Sequence, residues 1–124
     1  MVFSLQDYLA KLPLPATEKW PHGVWDVEAF QNGTMSLILY HPHVKDFQTT
    51  HDQDELYIVM SGSADLMIDG VVNSCKTGDI LFVPARKDHR FERFSEDFIT
   101  WAIFWGPKGG EEVRATNNDQ PTTN

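Results

Sequence analysis

Between Val24 and Trp105 the chain never runs far before a turn residue interrupts it. Asn32-Gly33 and Asp69-Gly70 are dipeptides of the kind that close tight hairpins, because such turns need positive φ, and Gly62 and Gly78 punctuate the stretch further. The segments between these breaks are short and rich in β-branched and aromatic residues. They are Val24 to Phe30, Thr34 to Tyr40, Leu56 to Met60, Ala64 to Ile68, Val71 to Ser74, Ile80 to Val83, Arg90 to Phe94 and Phe98 to Trp105. No helical pattern separates them. The expectation is an all-β fold, a small antiparallel sandwich or barrel.

The two ends differ from this middle. Residues 4 to 12 read as a short N-terminal helix: Ser4 is the expected N-cap with Asp7 three positions on, Leu5, Leu9 and Leu12 share a face, and Pro13 stops the turn. At 124 residues the chain has room for one real core. The predicted division is an N-terminal helical arm over 1–23, a β domain over 24–106 and a polar, flexible tail over 107–124. From Thr116 onward that tail is dominated by Asn, Asp, Gln, Thr and Pro, and such a segment cannot bury enough apolar area to offset the entropy of ordering.

Ten basic residues face eighteen acidic ones, a net charge of −8. Nucleic acid wants a basic stripe and an anionic membrane wants the same, so neither is an expected partner. No run approaches the roughly 18 apolar residues of a membrane span, and no basic-then-apolar leader opens the chain, so a cytoplasmic location is expected. Cys75 stands alone, which excludes an internal disulfide and a thiolate metal cluster.

The chemistry concentrates in two places. His51 and Glu55 stand four apart, just before an apolar run that ends at Gly62. His89 follows a Gly78-x5-Pro84 turn signature further on. These blocks resemble the cupin family, whose first motif is G-x5-H-x-H-x(3,4)-E-x6-G and whose second is G-x5-P-x-G-x2-H-x3-N. His51, Glu55 and Gly62 match the first motif, and Gly78, Pro84 and His89 the second. Four positions depart from it: Thr49 stands where the family's first histidine belongs, His43 and Arg86 replace glycines, and Arg93 replaces the terminal asparagine. The resemblance covers residues 34 to 104. It implies a cupin, or jelly-roll, β-barrel holding a divalent metal on His51, Glu55 and His89.

Two imidazoles and one carboxylate hold an ion from one side and leave adjacent positions open for water, substrate or dioxygen; Fe, Mn, Ni or Zn suits such a set. The competing reading is a hydrogen-bonded polar cluster without metal, since Glu55 needs some partner if buried. In a strand, side chains alternate faces, so Glu55, Tyr57 and Val59 are expected inside, and His89, Phe91 and Arg93 likewise share a face. Thr49, Tyr57 and Arg93 are therefore the expected substrate contacts, with an inward Arg93 suited to an anion. Arg86, Lys87 and Arg90 read as a solvated edge, His41-Pro42-His43 as a loop pair, and His22 as surface packing.

The last strand is apolar on both faces. Ile99, Trp101, Ile103 and Trp105 form a patch too large to leave wet, to be covered either by the N-terminal helix or by a second copy. Small cupins commonly pair, so the resemblance implies a homodimer. Two functional readings follow. One is a metal-dependent enzyme acting on a small organic molecule, with oxidation, isomerisation and lyase chemistry all open; the other is a non-catalytic small-molecule-binding cupin, with or without metal. No residue beyond the ligands marks itself as catalytic.

Overall fold

Both hairpins form where glycine supplies the positive φ. The computed structural model describes residues 1–118, in which a helix α1 (Leu5–Leu9) precedes strands β1 (Asp26–Asn32), β2 (Met35–Tyr40), β3 (Asp54–Ser61), β4 (Ser63–Ile68), β5 (Val71–Lys76), β6 (Ile80–Val83), β7 (His89–Glu92) and β8 (Ile99–Trp105). The β4–β5 turn is Asp69-Gly70, both at positive φ, as an Asn/Asp-Gly hairpin requires. The β1–β2 turn sits one residue later than expected. Asn32 still pairs with Met35, so Gly33 and Thr34 form the loop and only Gly33 takes positive φ.

Every strand pairing is antiparallel. The order is β1-β2-β8-β3-β6 in one sheet and β5-β4-β7 in the other. The fold is the expected jelly roll, except that the two sheets do not hydrogen-bond into a closed barrel. The chain changes sheets at tight bends where the ladder is given up. Gly62 turns β3 into β4, and the bend from β5 to β6 bonds back onto it through Thr77 N–H to Gly62 O (3.0 Å) and Gly78 N–H to Val59 O (2.8 Å).

Gly62 has φ +76°, and a Cβ there would lie 2.8 Å from the Phe98 Cα. Backbone cannot yield as a flexible side chain can, so Gly62→Ala combines a left-handed penalty with a clash. Chemical denaturation should show a loss of more than about 1 kcal/mol; an unchanged midpoint would refute this account of the bend.

The core lies between the sheets. Tyr57, Val59 and Val83 from the larger sheet meet Leu66 and Phe91 from the smaller one, with Phe91 edge-on to Tyr57 at 4.7 Å. In β3 the alternation is as expected: Glu55, Tyr57 and Val59 are buried, while Leu56, Ile58 and Met60 face the other side. That other side is covered from within the chain. Leu5, Tyr8 and Leu9 of α1 pack with Leu39, Ile99 and Trp101, and the Tyr8 and Trp101 rings meet edge to face at 6.2 Å. The helix is shorter than the sequence predicts, and the Ser4 side chain makes no capping bond, so packing rather than capping holds it. With Ile99 and Trp101 covered, those two residues give no ground for a partner copy.

The polar segment expected from 107 onward is tied down at its start. Gly109 N–H donates to Asp52 O (2.8 Å) and Glu111 N–H to Asp54 Oδ2 (2.9 Å). The end of the expected tail, 119–124, lies outside the described residues.

Candidate metal centre

Three elements bring the three predicted ligands together. Glu55 is the second residue of β3, flanked by Val83 of β6 and Phe104 of β8. His89 opens β7 on the opposite sheet. His51 stands in the loop before β3, pinned by the Arg86 N–H donating to its carbonyl (2.7 Å). One ligand atom from each residue falls within 4.8 Å of the others. Glu55 is 1% exposed and His89 4%. The Phe104 ring packs edge to face against His51, with centroids 4.6 Å apart.

The hydrogen bonds of His89 settle its tautomer. Its Nδ1 lies 3.0 Å from the Lys87 carbonyl, which can only accept, so Nδ1 carries hydrogen. The other ring nitrogen, Nε2, lies 3.1 Å from Glu55 Oε1. Yet neither Nε2 nor either Glu55 oxygen has a properly directed hydrogen-bond partner, and all three atoms are buried. In a neutral His89 the Nε2 lone pair faces a carboxylate oxygen. Two buried acceptors at that distance need a cation or an added proton between them. The donor set and its orphaned atoms thus fit a divalent ion, and the bond to Lys87 is the outer support that metal-bound histidines commonly have.

The electrostatics follow from burial and neighbours. Burial pushes the Glu55 carboxyl up, outweighing the pull of His89 in the other direction. Burial would lower the His89 imidazole, but its contact with Glu55 and its bond to Lys87 together raise it above the usual histidine value. His51 is lowered to about 4, first by burial and then by the neighbouring His89 and Lys19, so its ring is neutral across the physiological range.

A cavity of about 260 Å³ opens beside His51, lined by Lys19, Trp20, Asp26, Tyr40, Gln48 and Thr49 among others. Thr49 stands at its exposed rim. Tyr57 is fully buried beside the ligands and donates its hydroxyl to Gln48 Oε1 (3.3 Å), while burial, and next Glu55, holds its pKa well above the usual value. Arg93 is elsewhere. The strand parity that would turn it inward ends at Glu92; Arg93 has φ +50°, and its exposed guanidinium bonds Asp65 Oδ2 at 2.6 Å. The expected inward guanidinium is therefore corrected to a surface ion pair. Arg86 likewise has φ +65°. Glycine and asparagine at these two motif positions are the residues that tolerate left-handed backbone best.

Sequence reasoning missed Asp46 and Gln48. Asp46 is buried and accepts from the Tyr40 hydroxyl (2.7 Å), Gln48 N–H (2.9 Å) and Phe91 N–H (2.8 Å). Both sit in an irregular segment with no periodicity to read, between two strands. Asp26 was also passed over; it lines the cavity, and burial raises its carboxyl despite Lys19 nearby. The His41–His43 pair stays a loop feature, with His43 stacked on Trp25 at 3.5 Å and His41 bonded to the Glu96 carbonyl.

A sequence model of the Cupin domain matches residues 33–102, more than half of the chain. The chain belongs to the cupin family. It is 31% identical over 78 residues to an uncharacterised protein of Streptomyces coelicolor, a match covering 63% of this chain and 74% of that one. Its fold resembles that of a Neisseria meningitidis protein, with TM-score 0.62 and 18% identity over 86% of this chain and all of the other. A Cupin 2 conserved barrel domain protein of Salinispora arenicola is similar with TM-score 0.57 and 22% identity, over 65% of this chain and 74% of that one. At such identities the likeness to solved structures extends to the fold alone. Within this cupin the family's first histidine position is Thr49, at the cavity rim, and His51 Nε2 lies 3.4 Å from Gln48 Oε1.

Proposed function

We propose that this cupin binds one divalent ion through His51, Glu55 and His89 and presents it to a small organic molecule in the adjoining cavity. One observation carries the reading: a fully buried carboxylate faces a histidine nitrogen at 3.1 Å, with no hydrogen bond to satisfy either group. Fe, Mn, Ni or Zn suits the donor set, and the ion would supply Lewis-acid activation of a bound oxygen atom. The chain's own groups do the rest. Thr49 at the rim orients the molecule by its hydroxyl, and Trp20 gives it an apolar wall. Asp26, whose carboxyl burial raises, is placed to hold or move a proton within the cavity. Oxidation, isomerisation and lyase chemistry all fit this arrangement.

The non-catalytic alternative has one observation in its favour. The Tyr57 hydroxyl beside the ligands is committed to Gln48 and holds its proton tightly, so it serves as structure rather than as an acid. Turnover in a screen of small acids and enols, lost in Asp26→Asn, separates catalyst from binder; binding without turnover selects the alternative.

Untagged protein should carry about one divalent ion per chain by elemental analysis, lost in His51→Ala and in His89→Ala. Uptake should also depend on pH with a defined sign. The His89 pKa is raised in the folded protein, so below that value the apo site holds a proton that the ion must displace. Affinity rises with pH and levels off above the raised His89 pKa. His51, held near 4, contributes nothing to that slope. Calorimetric titration in buffers of different ionisation enthalpy reads the released proton directly. Metal-free wild-type protein after metal supplementation would sink the proposal, as would His89→Ala that keeps its ion.

A further inference from the structure

The family's first histidine has no direct replacement at Thr49, which is exposed at the rim. Its half-buried neighbour Gln48 faces His51 instead. We propose that Gln48 supplies, through Oε1, a fourth protein ligand to the ion held by His51, Glu55 and His89; the inference rests on the metal-binding reading above.

The orientation of the Gln48 amide is determined by its partners. Its NH₂ group lies 3.4 Å from Asp46 Oδ2, an acceptor, while Oε1 receives the Tyr57 hydroxyl at 3.3 Å. A flipped amide would set its oxygen against the Asp46 carboxylate, which can only accept. Oε1 is therefore the atom turned toward His51, 3.4 Å from its Nε2. Asp46 holds the Gln48 main chain as well, through the N–H bond at 2.9 Å, so the residue is anchored at both ends of its side chain. A carbonyl oxygen has two lone pairs. Tyr57 uses one, and the second is available to a cation.

Two of the spacings suit ligands that share one ion. Two ligands of one ion at about 2.1 Å stand about 3.0 Å apart at a right angle and about 3.4 Å apart at the tetrahedral angle. His89 Nε2 and Glu55 Oε1 are separated by 3.1 Å, and His51 Nε2 and Gln48 Oε1 by 3.4 Å. In the ion's absence an Nε2–H of His51 can bridge to Gln48; the ion takes the place of that hydrogen. The resulting set is two imidazole nitrogens, one carboxylate and one amide oxygen. Exchanging a third imidazole for a carbonyl moves the site toward harder ions, favouring Mn(II) and Fe(II) over Ni(II), Cu(II) and Zn(II) compared with a histidine-rich centre.

The test uses Mn(II) for affinity and Co(II) for its visible absorption, which reports the ligand set. Gln48→Ala should raise the Mn(II) Kd at least about tenfold and alter the Co(II) spectrum. Gln48→His should shift the Zn(II)-to-Mn(II) preference toward zinc by a similar factor. A Gln48→Ala protein that folds, binds Mn(II) as the wild type does and gives a superimposable Co(II) spectrum overturns the assignment. If Gln48→Ala does not fold, Gln48→His decides, an unchanged Co(II) spectrum there being the overturning result. Wild-type protein that takes up neither ion overturns the underlying metal reading as well, whereas wild-type uptake with unaffected Gln48 variants removes only the fourth ligand.

Discussion

Glu55→Gln protein should take up no stoichiometric metal and yet, stripped of ions, unfold at a higher temperature than the stripped wild type. The two effects have opposite signs because Glu55 serves the ion at the expense of the empty fold. Its carboxylate is 1% exposed, neither oxygen has a hydrogen bond, and burial raises its pKa more than His89 lowers it. An amide of the same shape carries no charge to desolvate, and its NH₂ group can donate to the His89 Nε2 lone pair. Relief of the buried, unsatisfied group is worth about 1–3 kcal/mol at neutral pH.

The pH dependence of that gain has a fixed sign. A carboxyl whose folded pKa is raised stabilises the fold fully below its unfolded value, near 4.5, and loses that contribution as pH rises through the raised folded value. The advantage of Glu55→Gln should therefore grow from acid toward neutral pH and vanish in mild acid. Adding metal reverses the ranking: at a thousandfold excess over Kd the wild type gains about 4.1 kcal/mol, and the variant gains nothing. Thermal melts with chelator and with excess ion, across that pH range, measure all of this. A variant less stable than stripped wild type at neutral pH would mean that the His89 contact outweighs the cost of burial.

Asp46→Ala should produce the largest loss of stability, about 3–5 kcal/mol. Asp46 lies five residues before His51 in sequence and ties the two sheets together in space. It accepts from the hydroxyl of Tyr40 in β2, the main chain of Phe91 in β7 and the main chain of Gln48, all within 2.9 Å. Bonds to an ionised acceptor are the strong ones, and their removal leaves the buried Tyr40 hydroxyl and Phe91 N–H without a partner. The variant should also bind metal more weakly, because Gln48 and the loop carrying His51 lose their anchor. Asp46→Asn, which keeps one acceptor oxygen, should fall between. A urea denaturation difference below about 1 kcal/mol for Asp46→Ala would show that these bonds are not the tie between the sheets.

Much of this protein was legible because its strongest signals are local. Eight strand segments, the Asp69-Gly70 turn and the breaks at Gly62 and Gly78 depend on φ preferences and on alternation over a few residues, and all are found, with strand ends displaced by one or two residues. The clustering of His51, Glu55 and His89 was legible for a different reason: their motif spacing carries the memory of a three-dimensional arrangement shared by the family. Arg93 misled because parity was extended one residue past the point where the backbone turns left-handed. The shifted β1–β2 turn has the same origin, a single-residue boundary that propensity cannot resolve.

Strand content, the Asp69-Gly70 hairpin, the acidic charge balance and the three candidate ligand residues were set by the amino-acid order alone. Whether the sheets close, which face α1 covers, and the bonds by which Asp46 and Gln48 brace the centre were decided only when distant segments met. Turn and strand preferences act within a few bonds of their own residue. The partners of an irregular loop such as 41–53 depend instead on which strands become neighbours, and that is a property of the whole fold.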